Sequence, residues 1–274
     1  MHHPKTQRKP GIPVLVGIPF DGNSSFLRGS AGAPGLIRSA FHSSSSNYWS
    51  ELGVDLGSEG VFEDVGDLHF RHNVFNAIEQ SIGDLVDQRL RPISLGGDHS
   101  ITLPLVRAVG KRIPNLTILH FDAHPDLYDE LDGSRLSHAC PFARIMEENL
   151  VKRLVQVGIR TLNGHQREQA ARFGVEIVEM RDLPAVNRMK IDGPIYLSFD
   201  MDVLDPAFAP GISHREPGGM SVREVLTYLH AIQGKIVAAD IVEFNPVQDV
   251  SNLTAMVAAK ILKELLGVMI KQGG

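Results

Sequence analysis

Six residues of this 274-residue chain have the types and spacing to hold cations: His99, Asp122, His124, Asp126, Asp200 and Asp202. They fall in three short runs, Gly96-Gly97-Asp98-His99-Ser100, Asp122-Ala123-His124-Pro125-Asp126 and Asp200-Met201-Asp202-Val203-Leu204-Asp205. Side chains alternate along an extended segment, so Asp122, His124 and Asp126 are expected on one side of theirs, and Asp200 and Asp202 on one side of theirs. Four carboxylates and two imidazoles without a thiolate suit a hard or borderline metal; manganese leads, with nickel, cobalt and zinc open. Six groups exceed the needs of one ion that must keep a position for water, whereas bridging carboxylates let them serve two. A pair of ions lowers the pKa of a water held between them and orients it for attack, so the implied chemistry is hydrolysis. A lone aspartate after a strand is commonly a turn or cap residue, and Asp98 and Asp205 are read that way.

Such ligands need elements that deliver them to one place. Short β-branched runs recur at Val14 to Ile18, Val61 to Val65, Pro92 to Leu95, Thr117 to Phe121, Leu154 to Ile159, Val175 to Glu179, Ile195 to Phe199 and Ile236 to Val242. Helical patterns separate most of them, for example the apolar stripe Val74, Ile78, Ile82, Leu85, Val86, and the segment Ser221 to Ile232, whose Ser221 and Glu224 form a capping box. Several of the strands are apolar throughout, as expected when helices cover both faces. The reading is an α/β fold: a three-layer α/β/α sandwich with a mostly parallel sheet of about eight strands. In an open α/β sheet, ligands bind beyond the carboxyl ends of the strands, which is where the three runs lie. A fourth strand end adds Glu243-Phe244-Asn245-Pro246.

With no internal repeat and no linker, residues 1–274 read as one domain. Acidic residues number 32 and basic residues 27, a formal charge of −5 that gives no reason to expect nucleic acid. The late apolar stretch Leu253 to Ile270 is broken by Lys260, Lys263 and Glu264, which argues for an amphipathic closing helix and against a membrane span. The basic residues before Pro10 read as a solvated tail, and Ser43 to Ser46 as an exposed loop. Cys140 is the only cysteine, so no internal disulfide framework exists and a cytoplasmic home is expected. It is read as a small buried residue, and His165, His214 and His230 as loop or surface histidines.

The motifs GGDHS at 96–100, FDAHPDLYD at 121–129, SFDMDVLDPAFAPG at 198–211 and DIVEFNP at 240–246 resemble the ureohydrolases, the arginase and agmatinase family, over nearly the whole chain. The stretches SHACPFARIMEE, VQVGIR and EPGG look like the plant-type arginase branch. The resemblance implies an arginase-like fold and two manganese ions per subunit, one on His99, Asp122, Asp126 and Asp200, the other on Asp122, His124, Asp200 and Asp202. It implies that His138 shuttles a proton, that Glu243 pairs with the substrate guanidinium, and that Asp126 holds a hydroxide which attacks the guanidinium carbon to release urea. It also implies a homo-oligomer, trimeric or hexameric. The physics agrees: a guanidinium is resonance-stabilised and cationic, so its carbon needs a strong nucleophile and a carboxylate of matching geometry. L-Arginine is the expected small guanidino substrate, with agmatine and guanidinobutyrate as alternatives. The loop Tyr128 to Ser137 departs from the asparagine- and serine-rich loop of animal arginases, and Arg135 or Ser137 is expected to meet the substrate carboxylate. Outside the family, a single-metal deacetylase would need a histidine pair in place of the two aspartate motifs. A metal-bound scaffold without catalysis would not need His138 and Glu243.

Overall fold

The computed structural model describes residues 9–70, 72–183 and 191–273. Its strands are β1 (Pro13–Gly17), β2 (Glu63–Asp67), β3 (Arg91–Leu95), β4 (Thr117–Phe121), β5 (Arg153–Ile159), β6 (Glu176–Glu179), β7 (Ile195–Asp200) and β8 (Ile236–Val242). They form one sheet in the order β2-β1-β3-β8-β7-β4-β5-β6, and every pairing is parallel. Each run expected from the sequence is present, with ends displaced by up to two residues. The largest shift is at β2, an exposed edge strand whose Gly66 and acidic residues carry little apolar signal.

Helices α1 (Ala33–Phe41), α6 (Val222–His230) and α7 (Leu253–Lys271) cover one face, while α2 (Val74–Asp87), α3 (Thr102–Gly110), α4 (Pro141–Glu147) and α5 (Gly164–Phe173) cover the other. Alternation along each strand assigns the layers. Leu15, Leu119, Phe121, Leu197 and Phe199 enter the core under α1, α6 and α7, whereas Val14, Val16, Ile118 and Tyr196 enter the opposite one. The capping box at Ser221 and Glu224 opens α6 as expected. No helix among the described residues is long and apolar enough to cross a membrane, and α7 is mostly buried. The basic stretch before Pro10, apart from Lys9, lies outside the described residues.

The register brings the chemistry together. Leu95 pairs with Ile241, Ile241 with Phe199, and Phe199 with Phe121, so the carboxyl ends of β3, β8, β7 and β4 finish level. The residues that follow are delivered to one crevice. One layer below runs a row the apolar reading of the strands missed: Ser94, Asp240, Ser198, His120 and Gln156 pair side by side across five strands, all buried.

Candidate metal centre

All six residues expected to bind cations meet in this crevice. The strand alternation that placed them together is only part of the reason. Extended backbone stops at Phe121 and Asp200, and tight turns do the rest. The His124 N–H donates to Asp122 Oδ1 at 2.6 Å and the Asp202 N–H to Asp200 Oδ1 at 2.8 Å, folding each aspartate's loop back on itself. Asp126 and Glu243 adopt left-handed backbone, φ 48° and 62°, a conformation that costs about 1 kcal/mol or more for a non-glycine residue and that clusters at functional sites. Gly97 is required for the same convergence: a Cβ there would stand 1.8 Å from the Phe20 carbonyl oxygen.

The donor atoms form two nests. His99 Nδ1 lies 3.2 Å from Asp122 Oδ2, 3.0 Å from Asp126 Oδ2 and 3.1 Å from Asp200 Oδ2. His124 Nδ1 lies 2.9 Å from Asp202 Oδ2 and 3.4 Å from Asp122 Oδ1. Asp122 therefore turns one oxygen to each nest. Hydrogen bonding fixes which His99 nitrogen is bare. Ser198 Oγ donates to Asp240 Oδ1 at 2.8 Å, so it accepts from His99 Nε2–H at 3.0 Å, and Nδ1 keeps its lone pair. That Nδ1 is buried without a well-aligned hydrogen-bond partner although three carboxylate oxygens surround it. A cation placed among them satisfies all four atoms.

The charge balance has the same sign. Burial, then repulsion from Asp202 and Asp122, raises the Asp200 carboxyl well above the usual range, and burial with Asp122 pushes Asp202 up to about 6 despite His124. Asp122 is held well below that range: burial opposes its charge, but His120 at 2.8 Å and the neighbouring imidazoles outweigh it. The four aspartates carry the charge that two divalent cations would cancel.

His120 falls within ligand distance of this group, but its hydrogen bonds assign it another task. The Gln156 amide must point its NH2 at the Pro125 carbonyl, 2.6 Å away, and the same nitrogen donates to His120 Nδ1 at 3.0 Å. His120 Nε2–H therefore donates to Asp122 and orients it. His120 precedes Asp122 by two residues, so extending the alternation backwards would have found it.

Beside the metal-type ligands, His138 Nδ1–H donates to Glu243 Oε1 at 2.8 Å, and His138 Nε2 meets Ser25 Oγ at 2.8 Å. Burial opposes the imidazolium, but Glu243 and then Asp126 and Asp98 raise His138 to about 9. Glu243 is held below the ordinary range in spite of burial, by His138 and by the His99 N–H at 2.9 Å. Asp98 caps the turn after β3, as expected, and binds the Asn23 N–H at 2.9 Å, which brings the loop after β1 into the site. Sequence reasoning missed that loop because its Asn23-Ser24-Ser25 carries no ligand-type residue.

His138, Glu243 and the two nests open on one cleft of about 260 Å³. His214, expected to be a loop or surface histidine, lies in a loop that lines the cleft, its ring 5.2 Å from that of His138 and 5.9 Å from that of His124. Arg135 does not reach the cleft: it is bound by Asp129 of its own loop at 2.7 Å and by Glu147, at the end of α4, at 2.9 Å. Ser137 is buried and turns its hydroxyl to the Ala139 N–H. Cys140 is buried as expected, its thiol pushed up to about 12 by burial.

Residues 13–267 match the arginase family. The chain belongs to the arginase family. Arginase 1 of Arabidopsis thaliana is 47% identical over 94% of this chain and 81% of its own length. The solved arginase of Medicago truncatula superposes with a TM-score of 0.89 at 43% identity, covering 94% of this chain and 87% of that one. Guanidinobutyrase of Pseudomonas aeruginosa is a more distant relative, 32% identical over 93% of this chain and 86% of its own length. Arginase-family proteins are metal-dependent hydrolases of amidine C–N bonds acting on small guanidino substrates, and this chain is one of them. The cytoplasmic expectation does not stand: the Arabidopsis relative is named as mitochondrial, as are arginases of rice and Medicago at 45–46% identity. A lone cysteine excludes internal disulfides and does not distinguish one reducing compartment from another.

Proposed function

We propose that this chain is an arginase, hydrolysing L-arginine to L-ornithine and urea with two manganese ions per subunit. Asp122 carries the reading, since a carboxylate with one oxygen in each of two histidine–aspartate nests is what a bridged ion pair requires. His99, Asp122, Asp126 and Asp200 would hold one ion, and Asp122, His124, Asp200 and Asp202 the other. When bound, the pair supplies the acidity that makes a nucleophile of water near neutral pH. Asp126, in both the first nest and the cleft, is placed to hold that water towards the substrate.

Glu243 spends Oε1 on His138 and the His99 N–H, and Oε2 has no partner among the described residues, so it can accept from the guanidinium. That contact fixes the electrophilic carbon and keeps the cation oriented. Water adds its oxygen to the carbon, the bond from the carbon to the alkyl-bearing nitrogen breaks, and that nitrogen leaves as an amine. His138, held protonated by Glu243, gives the departing nitrogen its proton. Arginine is favoured over agmatine or guanidinobutyrate by the 47% identity to a plant arginase against 32% to a guanidinobutyrase.

We further propose that residues 1–274 act as one domain in a trimer or hexamer, which light scattering tests. The exposed apolar residues Val247, Val250 and Leu253 support self-association. The functional test is urea release from arginine, agmatine and guanidinobutyrate with added manganese, with metal content measured in parallel. Arginine is expected to be the best substrate, and Asp122→Asn to lose both activity and paired metal. Full activity with two bound ions in that variant overturns the bridge.

A further inference from the structure

Five acids line the cleft, and four have evident employment. Asp126, Asp200 and Asp202 face the nests, and Glu243 is bound by His138 and the His99 N–H. The fifth, Glu216, is half-buried, and its carboxylate has no ion pair or hydrogen bond among the described residues. No lysine or arginine lines the cleft with it.

Its backbone is nonetheless held firmly. The Glu216 carbonyl accepts from Arg160 Nε at 3.0 Å and Nη2 at 2.7 Å, while the same Nη2 reaches the Asp202 carbonyl at 2.7 Å. One guanidinium thus ties the Glu216 loop to the segment that presents Asp202. On the other side, the Gly218 and Gly219 N–H groups bind Asp205 Oδ2 at 2.6 and 3.1 Å, and Pro217 removes slack between them. An unpaired carboxylate on a pinned loop, in a cleft whose one imidazolium, His138, is already bound by Glu243, is arranged to receive a cation.

We infer that Glu216 is the specificity-determining residue that receives the α-ammonium of the substrate. The inference rests on the arginase reading above and names how the end remote from the guanidinium is chosen. The three guanidino compounds differ at that end in a way one carboxylate can sort. Arginine presents an ammonium beside its carboxylate, agmatine presents the ammonium alone, and guanidinobutyrate presents a carboxylate alone, so Glu216 favours the first two and repels the third. A neutral donor serves the arginine carboxylate: the Tyr128 hydroxyl oxygen accepts the Asn163 amide at 2.6 Å and keeps its own hydrogen to give into the cleft.

The experiment compares wild type, Glu216→Gln and Glu216→Asp as manganese-loaded enzymes on the three substrates, with thermal melting to verify folding. In Glu216→Gln the arginine KM is expected to rise roughly tenfold with kcat largely retained. The ratio of arginine to guanidinobutyrate efficiency should fall by a similar factor, agmatine should lose in step with arginine, and Glu216→Asp should recover part of the preference for an ammonium-bearing substrate. An equal loss on all three substrates, or an unchanged arginine KM, overturns the role of Glu216 while leaving the arginase reading intact. A wild-type enzyme that prefers guanidinobutyrate overturns both, and one that prefers agmatine overturns the arginase reading alone.

Discussion

His99 Nε2 gives its hydrogen to Ser198 and Ser198 gives its own to Asp240, so a carboxylate two bonds removed decides which nitrogen faces the nest. Asp240 is itself fixed by the Tyr196 hydroxyl at 2.5 Å and the Thr102 hydroxyl at 2.9 Å. Orienting partners of this kind are commonly worth 10- to 100-fold in metal affinity, roughly 1–3 kcal/mol. Ser198→Ala is therefore expected to weaken manganese binding by about that factor without unfolding the protein, as read by titration calorimetry. Unchanged affinity would show that ring packing against Phe142 alone orients His99. Glu243→Gln should cost on the order of 100-fold in kcat/KM, because a neutral amide neither holds the His138 proton nor matches a guanidinium; an unaltered efficiency refutes its role. At this scale the ligands were legible in the sequence because aspartate and histidine at strand ends are rare in such density. His214 and Ser25 were not, since a histidine or serine in a loop signals nothing until the loop's path is known.

Among the elements, buried parallel strands announce themselves by unbroken apolar runs, which is why β4 and β8 match their expected limits and the exposed edge β2 does not. What the sequence hid was that the central strands carry the polar row from Ser94 to Gln156. Those single polar residues are each compatible with a half-buried strand, and only register shows them side by side. Cap chemistry was fully legible. Ser221→Ala should remove the side-chain acceptor for the Glu224 N–H and destabilise the protein by about 1 kcal/mol, measured by denaturant unfolding. Activity should persist, since α6 lies away from the cleft residues; a variant as stable as wild type would show that packing of Val225 and Leu229 suffices to start the helix.

For the molecule as a whole, burying four aspartates in one crevice makes the native state dependent on whatever cancels their charge. Ligands that bind only the folded chain stabilise it by about 4 kcal/mol at a thousandfold excess over Kd. For a chain of this size that corresponds to a melting temperature higher by roughly 10 °C. Chelation is expected to remove that increment and re-addition of manganese to restore it, with scanning calorimetry as the measure; melting unaffected by chelator would show that the nests tolerate their own repulsion.

The level finish of β3, β8, β7 and β4 also bears on how the protein is made. Ile93 pairs with Ala239 and Thr117 with Ile195, so the central seam joins segments far apart along the chain. Contacts of such separation form late because long loops must close first. During refolding, helical circular dichroism should therefore return well before the capacity to retain metal, and a chain still emerging from the ribosome cannot own a catalytic centre until β8, which follows the other seven strands in sequence, has slotted between strands synthesised before it.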